Sequence, residues 1–208
     1  MYIPKQYRIE DRKEIVEFVM AHPFVTVITT KNAQPMATHV PVNVYVEGEN
    51  ITLKGHLAQG NPQLETFVEN DKVLVISQGA HAYISSTWYE KEDVPTWNYQ
   101  SVHLYGRSRL LSETELKADL KVLLGKYEGA RINGATWDNL SDDTLKQIKG
   151  IVGFEIEITS MEAAYKLSQG KPEKDQETII KALSQSKHHS EQQLAGVMQD
   201  EVLNKSKK

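Results

Sequence analysis

Two stretches of the chain concentrate residue types that hold small molecules. In the first, Thr52, Lys54 and His56 occupy alternate positions of Ile51–Leu57, opposite Ile51, Leu53 and Leu57. A strand sends alternate side chains to opposite faces, so an ammonium and an imidazole stand side by side. Such a pair can grip a phosphate, with Arg107 or Arg109 from another strand as a further fixed charge. His39 or Asn43, on the preceding Thr38–Val46 segment, is expected to line the same face if the two segments are neighbours in a meander. The commoner meaning of this pattern is an ordinary solvated strand face. The second stretch is His81-Ala-Tyr-Ile-Ser-Ser-Thr-Trp-Tyr89 followed by Val94-Pro-Thr-Trp-Asn-Tyr99. With His81–Ser86 as a strand, His81, Tyr83 and Ser85 share a face, and Trp88, Trp97 and Asn98 lie just beyond. Large flat rings beside hydroxyls and an amide suit a planar heteroaromatic ligand, or else form a hydrophobic cluster under a long loop.

Other chemistry is poorly supported. The chain has no cysteine, which excludes disulfides, thiolate metal sites, iron–sulfur clusters and a thiol nucleophile. Its seven histidines show no metal-binding spacing. A P-loop, a dinucleotide fingerprint and a G-x-S-x-G elbow are all missing. Any reaction would therefore depend on a bound cofactor. The formal net charge is −4, with 24 basic against 28 acidic residues, so the excess of positive charge that normally drives phosphate-backbone binding is missing. Direct DNA contact is unsupported on that ground, and no helix-turn-helix pattern is present. No apolar run reaches the roughly 18–20 residues of a membrane span. The opening Met1-Tyr-Ile-Pro-Lys5 does not begin an apolar leader, and a cytoplasmic protein is expected.

These residues need a β-rich frame to position them. A short helix opens at Glu10 or Asp11, with Ile15, Phe18 and Val19 on its apolar face, and ends near His22-Pro23. Phe24–Thr30 reads as a strand turned at Lys31-Asn32. Thr38–Val46 alternates so that Val40, Val42, Val44 and Val46 face one way, and Glu47–Asn50 turns the chain into Ile51–Leu57. Asn61-Pro62 starts a helix. Lys72–Ser77, Val102–Leu111 and Ile151–Thr159 are further strands. Ser112-Glu-Thr-Glu115 is a capping box opening a helix to about Tyr127, and a short helix runs from Ser141 to Lys149. The fold class is mainly β with flanking helices, a barrel with helices on its outside. Residues 171–208 lack aromatics and are rich in Gln, Ser and Lys. Gln176–Leu183 and Glu191–Leu203 keep helical periodicity, so the expectation is a 1–170 barrel domain and a loose 171–208 helical arm, partly disordered at Lys205–Lys208.

Blocks of sequence in order along the chain resemble one family. They are Met1-Tyr-Ile-Pro4, Gly55-His-Leu-Ala-Gln-Gly-Asn-Pro-Gln63, Gln78-Gly-Ala-His-Ala-Tyr-Ile-Ser85, Pro95-Thr-Trp-Asn-Tyr99, Val102-His-Leu-Tyr-Gly106, Ile151-Val-Gly-Phe-Glu-Ile-Glu-Ile158 and Lys166-Leu-Ser-Gln169. Together they are similar to the PaiB family of FMN-binding negative transcriptional regulators. The resemblance implies a split β-barrel of the pyridoxamine-phosphate-oxidase type, a homodimer with FMN at the subunit interface, and repression of protease synthesis and sporulation. It adds Lys166 and Gln169 to Lys54, His56, His39, Tyr83, Ser85, Trp88, Trp97, Asn98 and Arg107 as cofactor-binding candidates. Where the family reads Trp-Lys-Leu-Ser-Gln-Asn-Arg, this chain reads Tyr165-Lys-Leu-Ser-Gln-Gly-Lys171. The same fold also hosts FMN-dependent oxidoreductases and proteins holding haem or another flat ligand, so fold alone does not choose among these functions.

Overall fold

The computed structural model describes residues 1–69 and 72–205. Helix α1 (Arg12–Ala21) follows the two-residue strand β1 (Arg8–Ile9) and is opened by the Asp11 carboxylate, which accepts from the Glu14 amide at 3.0 Å. Strands β2 (Phe24–Lys31) and β3 (Gln34–Pro41) form a hairpin. Asn32 and Ala33 at its tip both take positive φ, as a two-residue turn of the primed type requires. Strands β4 (Asn43–Glu47) and β5 (Asn50–Ala58) form a second hairpin, turned at Gly48 with φ +59°. Then come α2 (Thr66–Glu69), β6 (Val73–Ile84), β7 (Thr96–Leu110), α3 (Glu113–Glu128), α4 (Asp142–Leu145), β8 (Ile151–Lys166), α5 (Glu173–Ser184) and α6 (His189–Lys205).

The chain divides into two compact groups. One comprises residues 19–77 and 103–161, the other residues 1–18, 78–102 and 162–208. In the first, the strands follow the order β3-β2-β6-β7-β8-β5-β4. Its core is built from Val25, Val27, Leu53, Val75, Leu104 and Ile156, and Phe67 meets Phe154 at a ring distance of 4.8 Å. Gly106 is required there, because a Cβ at that position would fall against the Glu157 carbonyl oxygen. The capping box at Ser112 and Glu115 forms as the sequence predicts.

Thr38–Val46 is not one strand. The chain breaks pairing at Val42, whose amide donates instead to the Pro23 carbonyl at 2.9 Å. Val40 and Val42 are buried, whereas Val46 is exposed, so the expected common face holds for only part of the run. The break sends β3 to one end of the strand order and β4 to the other. It also corrects the expected meander: Asn43 sits opposite Lys54, while His39 pairs with Thr26 on β2.

Asn61 caps a 3-10 turn (Pro62–Glu65) by accepting from the Gln63 amide at 2.9 Å. That turn buries Gln63, whose side-chain amide donates to the Val27 carbonyl and the Thr29 hydroxyl at 3.0 Å each, and to the Met36 carbonyl at 3.2 Å. Its carbonyl accepts from the Thr38 hydroxyl. One side chain thus ties β2 to β3.

In the second group β1 pairs with β8, Arg8 opposite Ala164. Residues 171–205 are not a loose arm. Ile179 and Leu183 of α5 and Leu194 and Met198 of α6 are fully buried, and Asn98 donates to the Ser168 hydroxyl at 2.9 Å and to the Met198 sulfur at 3.5 Å. The predicted helices are present, but an apolar stripe on each supplies the anchoring that aromatics do not. The terminal residues 206–208 of the expected disordered tip lie outside the described residues. Among the described residues no helix is long and apolar enough to cross a membrane.

Candidate functional site

Strand β5 presents Lys54 and His56 on its outer face, opposite the buried Leu53 and Leu57. Across the ladder Lys54 faces Glu155 and His56 faces Gly153 on β8. The Lys54 ammonium lies 3.2 Å from the Glu155 carboxylate and 4.9 Å from the centre of the Tyr45 ring. Glu155 also accepts from Arg109 at 3.0 Å, and Arg109 continues to Glu115 at 2.8 Å. Hydrogen bonding to Arg109 and to the Ser112 amide and hydroxyl pulls the Glu115 carboxyl down to about 2. The face expected to be basic is therefore balanced, two cations against two carboxylates.

His56 has a different character. Burial pushes its imidazole below the usual histidine range, although the charge of Asp119 acts in the opposite sense. Burial favours the uncharged ring, and its Nδ1 is shielded from solvent without a hydrogen-bond partner among the described residues. A buried polar atom left unpaired costs about 1–3 kcal/mol, so such an atom in a folded protein points to something that completes it. Nearby polar groups are satisfied: the buried Asp119 carboxylate accepts from Asn43 and from the Tyr45 hydroxyl, both at 2.8 Å. Burial and that bond raise the Tyr45 phenol well above its usual range.

His39 is exposed, hydrogen-bonded to Thr26 at 2.9 Å and stacked on Phe24. Arg107 is also exposed and lines a recess with Lys72 and Tyr105, whereas Lys54 lines another with Tyr45 and Thr52.

The aromatic candidates belong to the other group of residues. Tyr83 on β6 and Trp97 on β7 meet edge-on at 6.1 Å, with His81 6.4 Å from Trp97. Trp97 is 54% and Tyr83 46% exposed, which leaves two large rings open on one strand pair. Ser85 caps the 3-10 turn Ser86–Trp88 by accepting from the Thr87 amide, and Trp88 is half-buried within that turn. Asn98 is fully buried and spent on Ser168 and Met198. Gln169 closes the corner after β8, donating to the Tyr165 carbonyl at 2.7 Å and the Gln6 carbonyl at 3.0 Å and accepting from the Leu167 amide at 2.7 Å. Lys166 donates to the Thr96 hydroxyl and lines a cavity of about 830 Å³ with Tyr7, Tyr89 and Lys171. The Tyr89 hydroxyl is buried without a partner among the described residues, a feature that the aromatic spacing alone did not single out. Lys171 lies 4.0 Å over the Tyr89 ring and pairs with Asp93.

The structure thus joins Lys54 to His56 and Tyr83 to Trp97, and it uses Ser85, Asn98 and Gln169 to hold the chain's own turns and core. No group of three or more metal-ligating side chains gathers among the described residues. The chemistry available is binding: open rings for stacking and a neutral imidazole with an unspent nitrogen.

Residues 1–160 match a family described as "Putative FMN-binding domain". The chain is 44% identical over 203 residues to the protease synthase and sporulation protein PAI 2 of Bacillus subtilis (strain 168), covering 97% of this chain and 98% of that protein. Two solved structures share the fold. The FAD and heme binding protein from Mycobacterium smegmatis superposes with a TM-score of 0.58 at 16% identity, over 83% of this chain and 78% of that one. The flavocytochrome Anf3 from Azotobacter vinelandii gives 0.59 at 17% identity, over 84% and 77%.

Proposed function

The chain belongs to the PaiB family, and on that premise we propose that it binds FMN and acts in the negative control of protease production and sporulation. The regulatory half of this reading is carried by the 44% identity with PAI 2, which extends over 98% of that protein. The flavin half is carried by the unpartnered Nδ1 of His56.

The residues present fit FMN in kind. His56 offers a neutral nitrogen for a ribityl hydroxyl or a phosphate oxygen, and Lys54 beside it is a fixed cation already neutralised by Glu155. Phosphate held there would have to draw Lys54 away from that carboxylate, so His56 is the stronger anchor. In the other group of residues Trp97 and Tyr83 are open rings of the kind an isoalloxazine stacks on, a separate candidate contact with its own variant below. Bound FMN would supply a redox-active, light-absorbing ring, and the protein's part is to hold it. The exposed rings on β6 and β7 also suit a homodimer, since apolar surface of this size is commonly covered in an assembly. Regulation by way of a partner protein or a metabolite, in the cytoplasm, fits a net charge of −4 better than direct DNA contact.

The test is an FMN titration followed by flavin fluorescence, on wild type, His56→Ala and Trp97→Ala. His56→Ala is expected to weaken binding about three- to tenfold, the value of one neutral hydrogen bond. Trp97→Ala should weaken it with little salt dependence, because stacking area and not charge is removed. Equal affinities for all three proteins would move the flavin elsewhere, and absence of binding by wild type would remove it. Expression in a Bacillus subtilis strain lacking PAI 2, with secreted protease and spore counts as readouts, tests the regulatory half separately. Light scattering tests the dimer.

A further inference from the structure

Among the residues 19–77 and 103–161, a recess of about 600 Å³ opens beside the end of β2 and the start of β6, against the interior stretches Tyr105–Arg107 of β7 and Thr159–Ser160 of β8. Its charged lining is Lys72 and Arg107, and no described residue of that lining is a carboxylate. In a chain with 28 acidic against 24 basic residues, an all-positive lining runs against the overall balance. Both cations are exposed, and neither makes an ion pair with another described residue, in contrast to Lys54 and Arg109 on the same sheet. The walls also carry the Ser160 hydroxyl, and Ile28, Val73 and Leu74 supply an apolar side.

We propose that this recess binds a phosphomonoester with an apolar body, at a site separate from the one holding His56. The argument is chemical. A guanidinium presents paired N–H donors that match two oxygens of a phosphate, and an ammonium adds a compact second charge. Two cations in one recess without a carboxylate repel each other, and a dianion relieves that repulsion. Hydroxyl groups complete the shell of a phosphate, which has more acceptor positions than two cations fill. The apolar wall then distinguishes an ester with a hydrocarbon or aromatic body from free phosphate. Arg107 appears in the sequence as a candidate charge for the Lys54 face; its place beside Lys72 assigns it to this recess.

The probe is phenyl phosphate, with inorganic phosphate and benzyl alcohol as its two halves. Binding is followed by calorimetry and by amide shifts of Thr30, Leu74 and Ser160 in nitrogen-15 spectra. Phenyl phosphate is expected to bind more tightly than either half and to move those amides. Arg107→Gln and Lys72→Gln, both at exposed positions, are each expected to weaken it about ten- to a hundredfold, with an unchanged melting temperature. The same variants should leave FMN affinity within a factor of two of wild type. Failure of phenyl phosphate to bind, or equal binding by the variants, overturns the site. Displacement of phenyl phosphate by FMN would overturn its separateness and make the recess part of the flavin site. An FMN titration that fails in wild type leaves the phenyl phosphate measurement standing, because the proposal does not rest on the flavin.

Discussion

Replacing Gln63 by Leu should cost the fold about 2–4 kcal/mol without touching any ligand. The side chain is 1% exposed and makes four polar contacts, to the Val27 and Met36 carbonyls and to the Thr29 and Thr38 hydroxyls. Leucine keeps the volume, so no large cavity term enters. The hydroxyls retain second partners, Thr66 for Thr29 and Asn61 for Thr38, and reorient at little cost. The Val27 carbonyl loses a donor in a buried place and the Met36 carbonyl one in a half-buried place, at about 1–3 kcal/mol for the first, less for the second, and less than additively for neighbours. For a chain of this length that is a fall of about 5–15 °C in melting temperature. Urea and thermal unfolding by circular dichroism read it directly. Gln63→Glu sharpens the test, since the oxygen that replaces Nε2 would face the Val27 and Met36 carbonyls, which can only accept. Its folded pKa would be raised, so the penalty is absent below the unfolded value of about 4.3 and grows as pH rises above it. A loss below about 0.5 kcal/mol for the leucine variant, or a glutamate variant whose stability ignores pH, would refute the reasoning.

Three further outcomes are expected. A chain ended at Lys171 strips the cover supplied by Ile179, Leu183, Leu194 and Met198, and should be insoluble or melt at least about 10 °C lower; a soluble product with an unchanged melting curve would contradict the packing. Glu115 is held down to about 2, so its contribution to stability is present above the unfolded pKa near 4.5 and fades as pH falls toward 2. Glu115→Gln should flatten that part of the acid limb, and an identical limb would show the Arg109 bond to be idle. Asn98→Leu should lower stability by about 2–3 kcal/mol through the Ser168 contact while leaving FMN affinity unchanged; a selective loss of FMN would restore Asn98 as a ligand contact.

Period-two and cap signals made much of the frame legible. The Ser112–Glu115 box, the Gly48 turn and the Asn61 cap all stand where local chemistry puts them. The break at Val42 had one local signal, Pro41, whose missing N–H the Val-rich alternation masks; what completes the break is distant, the carbonyl of Pro23 that takes the Val42 amide. The packing of the tail is hidden from the sequence for a related reason. Ile179, Leu183, Leu194 and Met198 form a stripe whose value depends on what it meets, and Asn98 lies 100 residues before Met198.

The same dependence separates structural from functional polar residues in the candidate set. Lys54, Ser85, Asn98 and Gln169 are types that bind ligands, yet each already has a partner within the chain. Spacing cannot show this, since a carboxylate such as Glu155 comes from a strand 101 positions away from Lys54. What marks a binding group is the unspent bond. Among the described residues two buried side-chain atoms have one, Nδ1 of His56 and the hydroxyl of Tyr89. An unpaired buried group lowers stability unless something completes it, so both positions work against the fold in the free protein. His56 stands on the face that the sequence singled out, and Tyr89 on the wall of the Lys166 cavity that it did not. Lys54, Ser85, Asn98 and Gln169 are spent inside the chain, so a ligand contact at these two atoms would cost the fold no bond it already makes.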